Sequence, residues 1–345
     1  MSTYIDGILL EVISNTFMSI AEEMGAVLTK SAYSTNIKER KDCSCGVFDI
    51  DGHTIAQAEH IPMHLGSMLE IVNQIKSNYS NEEIHDGDMF IANDPYNGGG
   101  THLPDITIAQ PVFFENELIA YVVNIAHHND VGGRVPGSNA ADSSSIYEEG
   151  IRIPPVKIFS QGVLQEDILR LILLNCRVND IRRGDLHAQF ACNRKGTQRV
   201  QEACKKFGRE MILAAMAELL NYSERKMRLA IAALPNQTMS FTDYLDSDGK
   251  GSGPVPIRIT ITIKEDEIFL DFTDNVPQVK GALNLTETAL RACVYYSLKC
   301  IIDPTLPSNG GYYRPIHIRT TPGTLVCCND TAAVAGRTDT AQRVV

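Results

Sequence analysis

The segment that most limits how this chain can fold is residues 105–125. Asp105-Ile-Thr-Ile-Ala-Gln-Pro-Val-Phe-Phe114 and Leu118-Ile-Ala-Tyr-Val-Val-Asn-Ile125 are β-branched and aromatic runs of strand length. Glu115-Asn116-Glu117 between them is a short polar loop, so the pair predicts an antiparallel hairpin. A loop centred on Asn116 sets Phe114 opposite Leu118, and the same register sets Asp105 opposite His127. Directly opposed residues on one face have Cβ atoms roughly 4.5–5.5 Å apart, near enough to share one ion. Pro111 cannot donate to a ladder and offers a place for a bulge, which would shift this register. His102 lies three residues before Asp105, the wrong parity for a continuous strand. Gly98-Gly99-Gly100 and Pro104 place it instead in a loop that is free to turn inward. His102, Asp105 and His127 are thus candidate metal ligands, two imidazoles and a carboxylate. The residues alone leave open a metal site and an ordinary hydrogen-bonded cluster. For His128 a structural role is favoured, because adjacent strand residues face opposite ways.

The rest of the chain predicts long helices and further hairpins. Asp6–Lys30 has apolar residues at helical spacing, including Ile8, Leu9, Val12, Ile13, Phe17 and Ile20. Cys45–Ala56 contains Asp51-Gly52 between apolar runs, a hairpin signal. Asp42 lies just ahead of its first strand. A helix is expected near Met68–Lys76, with His60 and His64 around the preceding turn, where they could line the site, though capping or hydrogen bonding is the favoured role. Gln165–Val178 reads as helix. So does Leu186–Leu234, with breaks near Gly196 and Asn221 and the option of a helical hairpin. Pro235 marks a shift, and residues 236–254 read as a turn-rich boundary or exposed loop. Ile257–Lys264, Glu265-Asp-Glu267 and Ile268–Thr273 form a second clear hairpin, followed by a helix near Glu287–Lys299. The expected class is α+β: β-hairpins and mixed or antiparallel sheets with long packed helices. Two domains are expected, 1–235 carrying the candidate metal site and a β-rich, incomplete 236–345.

Bulk properties exclude some functions. A net charge of −11 argues against a nucleic-acid surface. The start Met1-Ser-Thr-Tyr-Ile-Asp6 lacks the basic and apolar regions of a signal peptide. No uncharged apolar run is long enough to span a bilayer. Nine cysteines, an odd number without a scaffold pattern, read as reduced thiols in the cytoplasm. Cys43-Ser-Cys45 lacks a second pair and reads as packing rather than zinc ligation. Gly98–Gly100 reads as a turn before an anion nest. Lys250 sits among glycines in the wrong order for a phosphate loop, so no nucleotide motif is present.

Longer motifs point to a family. They are Lys38-Glu-Arg-Lys-Asp-Cys-Ser-Cys45 with Phe48-Asp49, Glu59-His-Ile-Pro-Met-His-Leu-Gly66, and the run Asn93–Gly133. Gly184-Asp-Leu-His-Ala-Gln189, Asp271-Phe-Thr273, Asn309-Gly-Gly311 with Arg314-Pro315, and Ala333-Val-Ala-Gly-Arg337 follow in order. Together they resemble the hydantoinase B / 5-oxoprolinase family, related to an acetone carboxylase subunit. The resemblance implies a fourth ligand, Asp42, beside His102, Asp105 and His127, around one divalent metal (Zn, Mn, Fe or Co). It also implies a hydantoinase A-like partner subunit, with a kinase-like fold and bound ATP, in a hetero-oligomer. The implied reaction is hydrolysis of a small cyclic amide, its ring activated by ATP and opened by metal-bound water. His128 or Asp130 could relay protons, Arg134 could hold an anionic group, and the polar stretch 142–153 could line the substrate. The alternatives are a subunit of an ATP-dependent ketone carboxylase, a facial-triad iron oxygenase, and a non-catalytic assembly subunit. Long helices speak against the oxygenase. Family members usually continue beyond the equivalent of Gly336-Arg337, so truncation is expected here.

Overall fold

The computed structural model describes residues 5–58, 61 and 64–345; His60 lies outside them. The large sheet is built from β1 (Cys43–Phe48), β2 (Thr54–Ala58), β3 (Met89–Ala92), β4 (Asp105–Phe114), β5 (Glu117–His127), β6 (Val156–Ser160) and β7 (Val163–Leu164). Its order is β2-β1-β5-β4-β3-β6-β7, with antiparallel neighbours throughout. The second sheet contains β8 (Gln237–Leu245), β9 (Val255–Lys264), β10 (Glu267–Asp271) and β11 (Ile316–Arg319), ordered β11-β10-β9-β8 with β10 and β11 parallel. The helices are α1 (Gly7–Ser31), α2 (Thr35–Lys38), α3 (His64–Ser67), α4 (Leu69–Asn78), α5 (Glu166–Asn175), α6 (Asn179–Phe207), α7 (Arg209–Ala232), α8 (Glu287–Ile302) and α9 (Arg337–Val344). The fold is α+β, as the patterning predicts.

Both faces of the large sheet are covered. On one, Ile13, Phe17, Ile20 and Met24 of α1 and Cys192 and Val200 of α6 pack on Cys43, Cys45, Val47 and Val122. On the other, Ile71, Val72 and Ile75 of α4 meet Phe48, Phe90, Tyr121, Val123 and Ile125. Strands buried on both faces need apolar residues at every position. This is why β4 and β5 are continuous apolar runs rather than alternating ones. A second core joins β9 and β10 to α8 through Ile257, Ile268, Leu270, Leu290 and Val294. Helix α7 feeds both cores: Ile212, Met216 and Leu220 enter the first, Met227 and Ile231 the second.

The central hairpin differs from expectation at its loop and agrees at its open end. Its turn is the two residues Glu115 and Asn116, both at positive φ (52° and 65°), the backbone of a two-residue hairpin turn. Phe114 therefore pairs with Glu117, not Leu118. A bulge then shifts the ladder between Val112 and Phe113, leaving Ile119 as the extra residue on β5. From there the register runs to Asp105 opposite His127. The bulge suspected near Pro111 thus restores the anticipated pairing instead of displacing it.

Three other expectations are corrected. Helix α6 runs unbroken through Gly196, and α7 through Asn221. A Cβ on Gly196 would lie 2.4 Å from Met24 Sδ, so that glycine serves the close approach of α1. The actual break is Gly208, at φ 87° and ψ 140°, a conformation nearly restricted to glycine. Residues Gln237–Leu245, read as turn-rich, form the edge strand β8 along β9. An edge strand with mostly exposed side chains needs little apolar patterning, which is why its signal is weak. The short strands β3, β6 and β7 add to the elements that the patterning predicts.

A Cβ on Gly208 would meet no atom within 4 Å, so replacing it tests backbone strain without crowding. Gly208→Ala is expected to lower the unfolding free energy by about 1–3 kcal/mol in urea titration. A change within error would show that the α6–α7 link relaxes freely.

Candidate metal centre

The candidate ligands gather at one end of the large sheet. Asp105 opens β4, His127 closes β5, and Asp42 immediately precedes β1, whose Cys43 pairs with Ala126. The His127 amide donates to the Asp42 carbonyl at 3.0 Å. His102 comes from the loop before β4, where its carbonyl accepts from the Asp105 amide at 3.1 Å. Glycine makes this close turn possible. A Cβ on Gly100, at φ +104°, would lie 2.8 Å from Asp105 Cβ, and one on Gly99 would lie 2.2 Å from the Asp94 nitrogen. The Gly98–Gly100 run is a tightly packed turn.

His102, Asp105 and His127 each offer a ligand atom within 4.8 Å of the other two. His102 Nε2 is 3.1 Å from Asp105 Oδ1. Asp105 Oδ2 accepts from Thr101 Oγ1 at 2.9 Å and from Arg337 Nη2 at 3.2 Å. Asp42 stands at the rim. The Asn36 amide donates to Asp42 Oδ2 at 3.2 Å and lies 2.9 Å from His127 Nδ1. His64 joins this rim: its Nε2 is 3.9 Å from Asp42 Oδ1 and its Nδ1 is 3.0 Å from Ser44 Oγ.

The electrostatics suit a cation. Burial, and then Arg337, push His102 down to about 3, so its ring is neutral near pH 7 and keeps a lone pair. Burial also lowers His64. Asp105 is buried, which opposes ionisation, but its hydrogen bond with His102 and the Arg337 guanidinium outweigh burial and hold its carboxyl well below the usual range. His102 Nδ1 is buried with no hydrogen-bond partner among the described residues. A neutral imidazole with an orphaned nitrogen beside an ionised carboxylate is a donor set that fits a divalent ion.

Three candidates serve other contacts. His128 turns to the opposite side, where its Nε2 lies 2.9 Å from Gln189 Oε1. Burial, and then Arg182, push it down to about 4. The Asp130 oxygens accept from the amides of Gly132, Gly137 and Arg177 and from the Arg177 guanidinium. Arg134 is largely exposed and pairs with Asp142 and Glu148. These contacts orient loops and a buried network, and it is from them that any proton relay by His128 or Asp130, or anion holding by Arg134, would have to act. The 142–153 stretch is likewise tied down. Glu149 Oε1 accepts from the amides of Val334 and Ala335, each at 2.9 Å. Sequence reasoning misses Asn36, Thr101 and the contact made by Arg337. Arg337 and Thr101 stand within the family-like stretches; Asn36 carries no signal.

A buried amide network holds α6 against the hairpin. Gln189 Nε2 donates to the Ile106 carbonyl and to Asn124 Oδ1, both at 2.8 Å. Asn124 Nδ2 donates to Asn193 Oδ1, and Asn193 Nδ2 donates to the Ile108 carbonyl.

Residues 6–345 match the family described as Hydantoinase B/oxoprolinase, and the chain belongs to it. An uncharacterized protein of Methanocaldococcus jannaschii is 40% identical over 99% of this chain and 60% of its own length. One subunit of a putative D-/L-hydantoinase from a Pseudomonas species is 34% identical over 94% of this chain and 57% of its own. The crystal structure of an ATP-dependent caprolactamase from Pseudomonas jessenii superposes with a TM-score of 0.89 at 31% identity, over 95% of this chain and 56% of that one. A nucleotide-free acetone carboxylase structure shares the fold, with a TM-score of 0.89 at 20% identity, over 96% of this chain and 46% of that one. The chain thus spans about 60% of the length of the first of these relatives.

Two outcomes are expected. Gln189→Leu would strip partners from Ile106 O, Asn124 Oδ1 and His128 Nε2. At about 1–3 kcal/mol per unsatisfied buried group, a loss above ~2 kcal/mol should appear in urea unfolding. For Glu149, burial lifts the carboxyl to about 7 from 4.5. The folded state then holds this proton more tightly than the unfolded one. That contribution is complete below pH 4.5 and is lost as pH rises through 7. Glu149→Gln, neutral throughout, should exceed wild type in urea midpoint at ~pH 8, with the gap closing toward ~pH 5. A gap independent of pH would contradict the assignment.

Proposed function

We propose that this chain is the metal-binding part of an ATP-dependent cyclic amide hydrolase of the hydantoinase, 5-oxoprolinase or lactamase type. The observation that carries this is the convergence of His102, Asp105 and His127 within 4.8 Å, in a buried setting that keeps His102 neutral and Asp105 ionised. Asp42, His102, Asp105 and His127 would hold one divalent ion: Zn, Mn, Fe or Co. Such an ion supplies Lewis acidity and brings the pKa of a water toward neutrality. The chain's own residues do the rest by arrangement. Asn36 holds Asp42 and His127 together, Thr101 and Arg337 orient Asp105, and the buried loop 98–102 limits solvent at His102.

An amide carbonyl is a poor electrophile because resonance places nitrogen density on it. Transfer of a phosphoryl group to the amide oxygen removes that stabilisation and makes the carbon open to attack by water. The chain has no nucleotide motif, so ATP would bind a kinase-like partner subunit. The Pseudomonas relative, named as one subunit of a hydantoinase, and the ATP-dependent caprolactamase support this reading. We place the assembly in the cytoplasm, consistent with nine free cysteines and with no helix among the described residues long and apolar enough to cross a membrane. We also propose the division 1–235 and 236–345 as a working description, with α7 shared between the two cores.

The test pairs metal analysis with turnover. Purified wild type should carry close to one equivalent of a divalent metal, and His102→Ala and His127→Ala far less. With the kinase-like ATPase subunit, wild type should open hydantoin, 5-oxoproline or a lactam in step with ATP hydrolysis. Equal metal in all three proteins would refute the ligand set. ATP-dependent carboxylation of a ketone instead of ring opening would select the carboxylase alternative. Metal-independent assembly without turnover would mark a non-catalytic subunit.

A further inference from the structure

Arg337 reaches the candidate metal centre from 232 positions away in the chain. Its guanidinium is buried. Nε donates to Thr101 Oγ1 at 2.7 Å, and Nη2 donates to Asp105 Oδ2 at 3.2 Å. The Thr101 hydroxyl donates to that same Oδ2 at 2.9 Å. A carboxylate oxygen has about two lone-pair sites. Those of Oδ2 are taken by Thr101 and Arg337, which leaves Oδ1 beside His102 Nε2 at 3.1 Å.

The backbone around Arg337 is built to present it. The Gly336 amide donates to the Ala282 carbonyl at 2.8 Å, and the Arg337 amide donates to the Val334 carbonyl at 3.1 Å. Glu149 accepts from the Val334 and Ala335 amides, and the Tyr96 hydroxyl donates to the Ala332 carbonyl. Arg337 is also the first residue of α9, whose Ala341 packs in the second core. The second core thus delivers a guanidinium to the end of the large sheet.

We propose that Arg337, acting with Thr101, is a positioning residue that occupies Oδ2 of Asp105 and so leaves Oδ1, beside His102, as the oxygen offered to the cation. This rests on the metal-site reading above. Two effects of opposite sign meet here. The guanidinium repels a cation, so its removal would strengthen binding. Its removal would also free the Asp105 carboxylate to rotate away from His102. Donors behind a ligand are typically worth ~10–100-fold in metal affinity. The geometric effect should therefore win.

Zn²⁺ and Co²⁺ affinities of the 345-residue chain are to be measured by competition with a chromophoric chelator. The proteins are wild type, Arg337→Met, Arg337→Lys, Thr101→Val and Thr101→Ser, each with a thermal melt. Arg337→Met and Arg337→Lys should bind ~10–100-fold more weakly, since Lys keeps the charge without the two-pronged fork. Thr101→Val should weaken binding and Thr101→Ser should restore it. The visible spectrum of bound Co²⁺ should change in Arg337→Lys. Folded Arg337→Met or Thr101→Val proteins that bind as wild type does, or more tightly, would overturn the proposal and leave the metal site standing. If Arg337→Met does not fold, the Thr101 pair decides. Wild type that binds neither ion would overturn the metal-site reading itself, and this proposal with it.

Discussion

The pairing of Asp105 with His127 across β4 and β5 is the constraint on which the candidate site depends. Side chains on a strand alternate, so a slip of one residue would send one partner to the opposite face. The two-residue turn at Glu115-Asn116 by itself sets a ladder one residue out of phase with that pairing. The bulge between Val112 and Phe113 corrects the phase. The extra residue, Ile119, is buried in the core beneath α1 with Val112 beside it. The bulge is therefore held by packing, and the packing of α1 fixes the geometry at the far end of the hairpin.

Burial makes this arrangement selective. Taking a carboxylate and a guanidinium out of water is costly unless they are paired and hydrogen-bonded. Asp105 meets that condition through Thr101, Arg337 and His102. The same burial deprives His102 of its proton and leaves one of its nitrogens without a partner. A neutral donor that is poorly satisfied by protein and aligned with an anion is a natural place for a cation. His128 is equally buried and its Nδ1 likewise lacks a partner among the described residues, but its Nε2 meets the Gln189 amide oxygen rather than a carboxylate, so it joins the amide network under α6. Two adjacent histidines thus take different roles because a strand turns them to different faces.

The legible parts of the site are those governed by short-range order. His102, Asp105 and His127 can be grouped from hairpin register and the glycine-rich loop alone. Asp42 cannot, because its approach depends on β1 pairing with β5, a contact that no spacing encodes; resemblance to the family suggests it. Asp130 and Arg134 are attractive because they follow the two histidines closely in sequence. In the fold, a run of glycines turns the chain away, and both residues are taken up by loop contacts. Arg337 is visible as part of a motif, but its destination requires the second core to fold back on the first sheet.

What the sequence alone determined was local. Periodicity placed α1, α8 and both principal hairpins, and composition settled the mixed class, since each depends on residues a few positions apart. Tertiary structure decided the rest. It kept α6 continuous through Gly196, because the glycine answers α1 rather than its own helix. It made β8 an edge strand, and it brought Asn36, Thr101 and Arg337 to two carboxylates, Asp42 and Asp105, and one imidazole, His127. The contacts of Gly196 with Met24, of Asn36 with His127 and of Arg337 with Asp105 join surfaces far apart in the chain, information that no single segment carries.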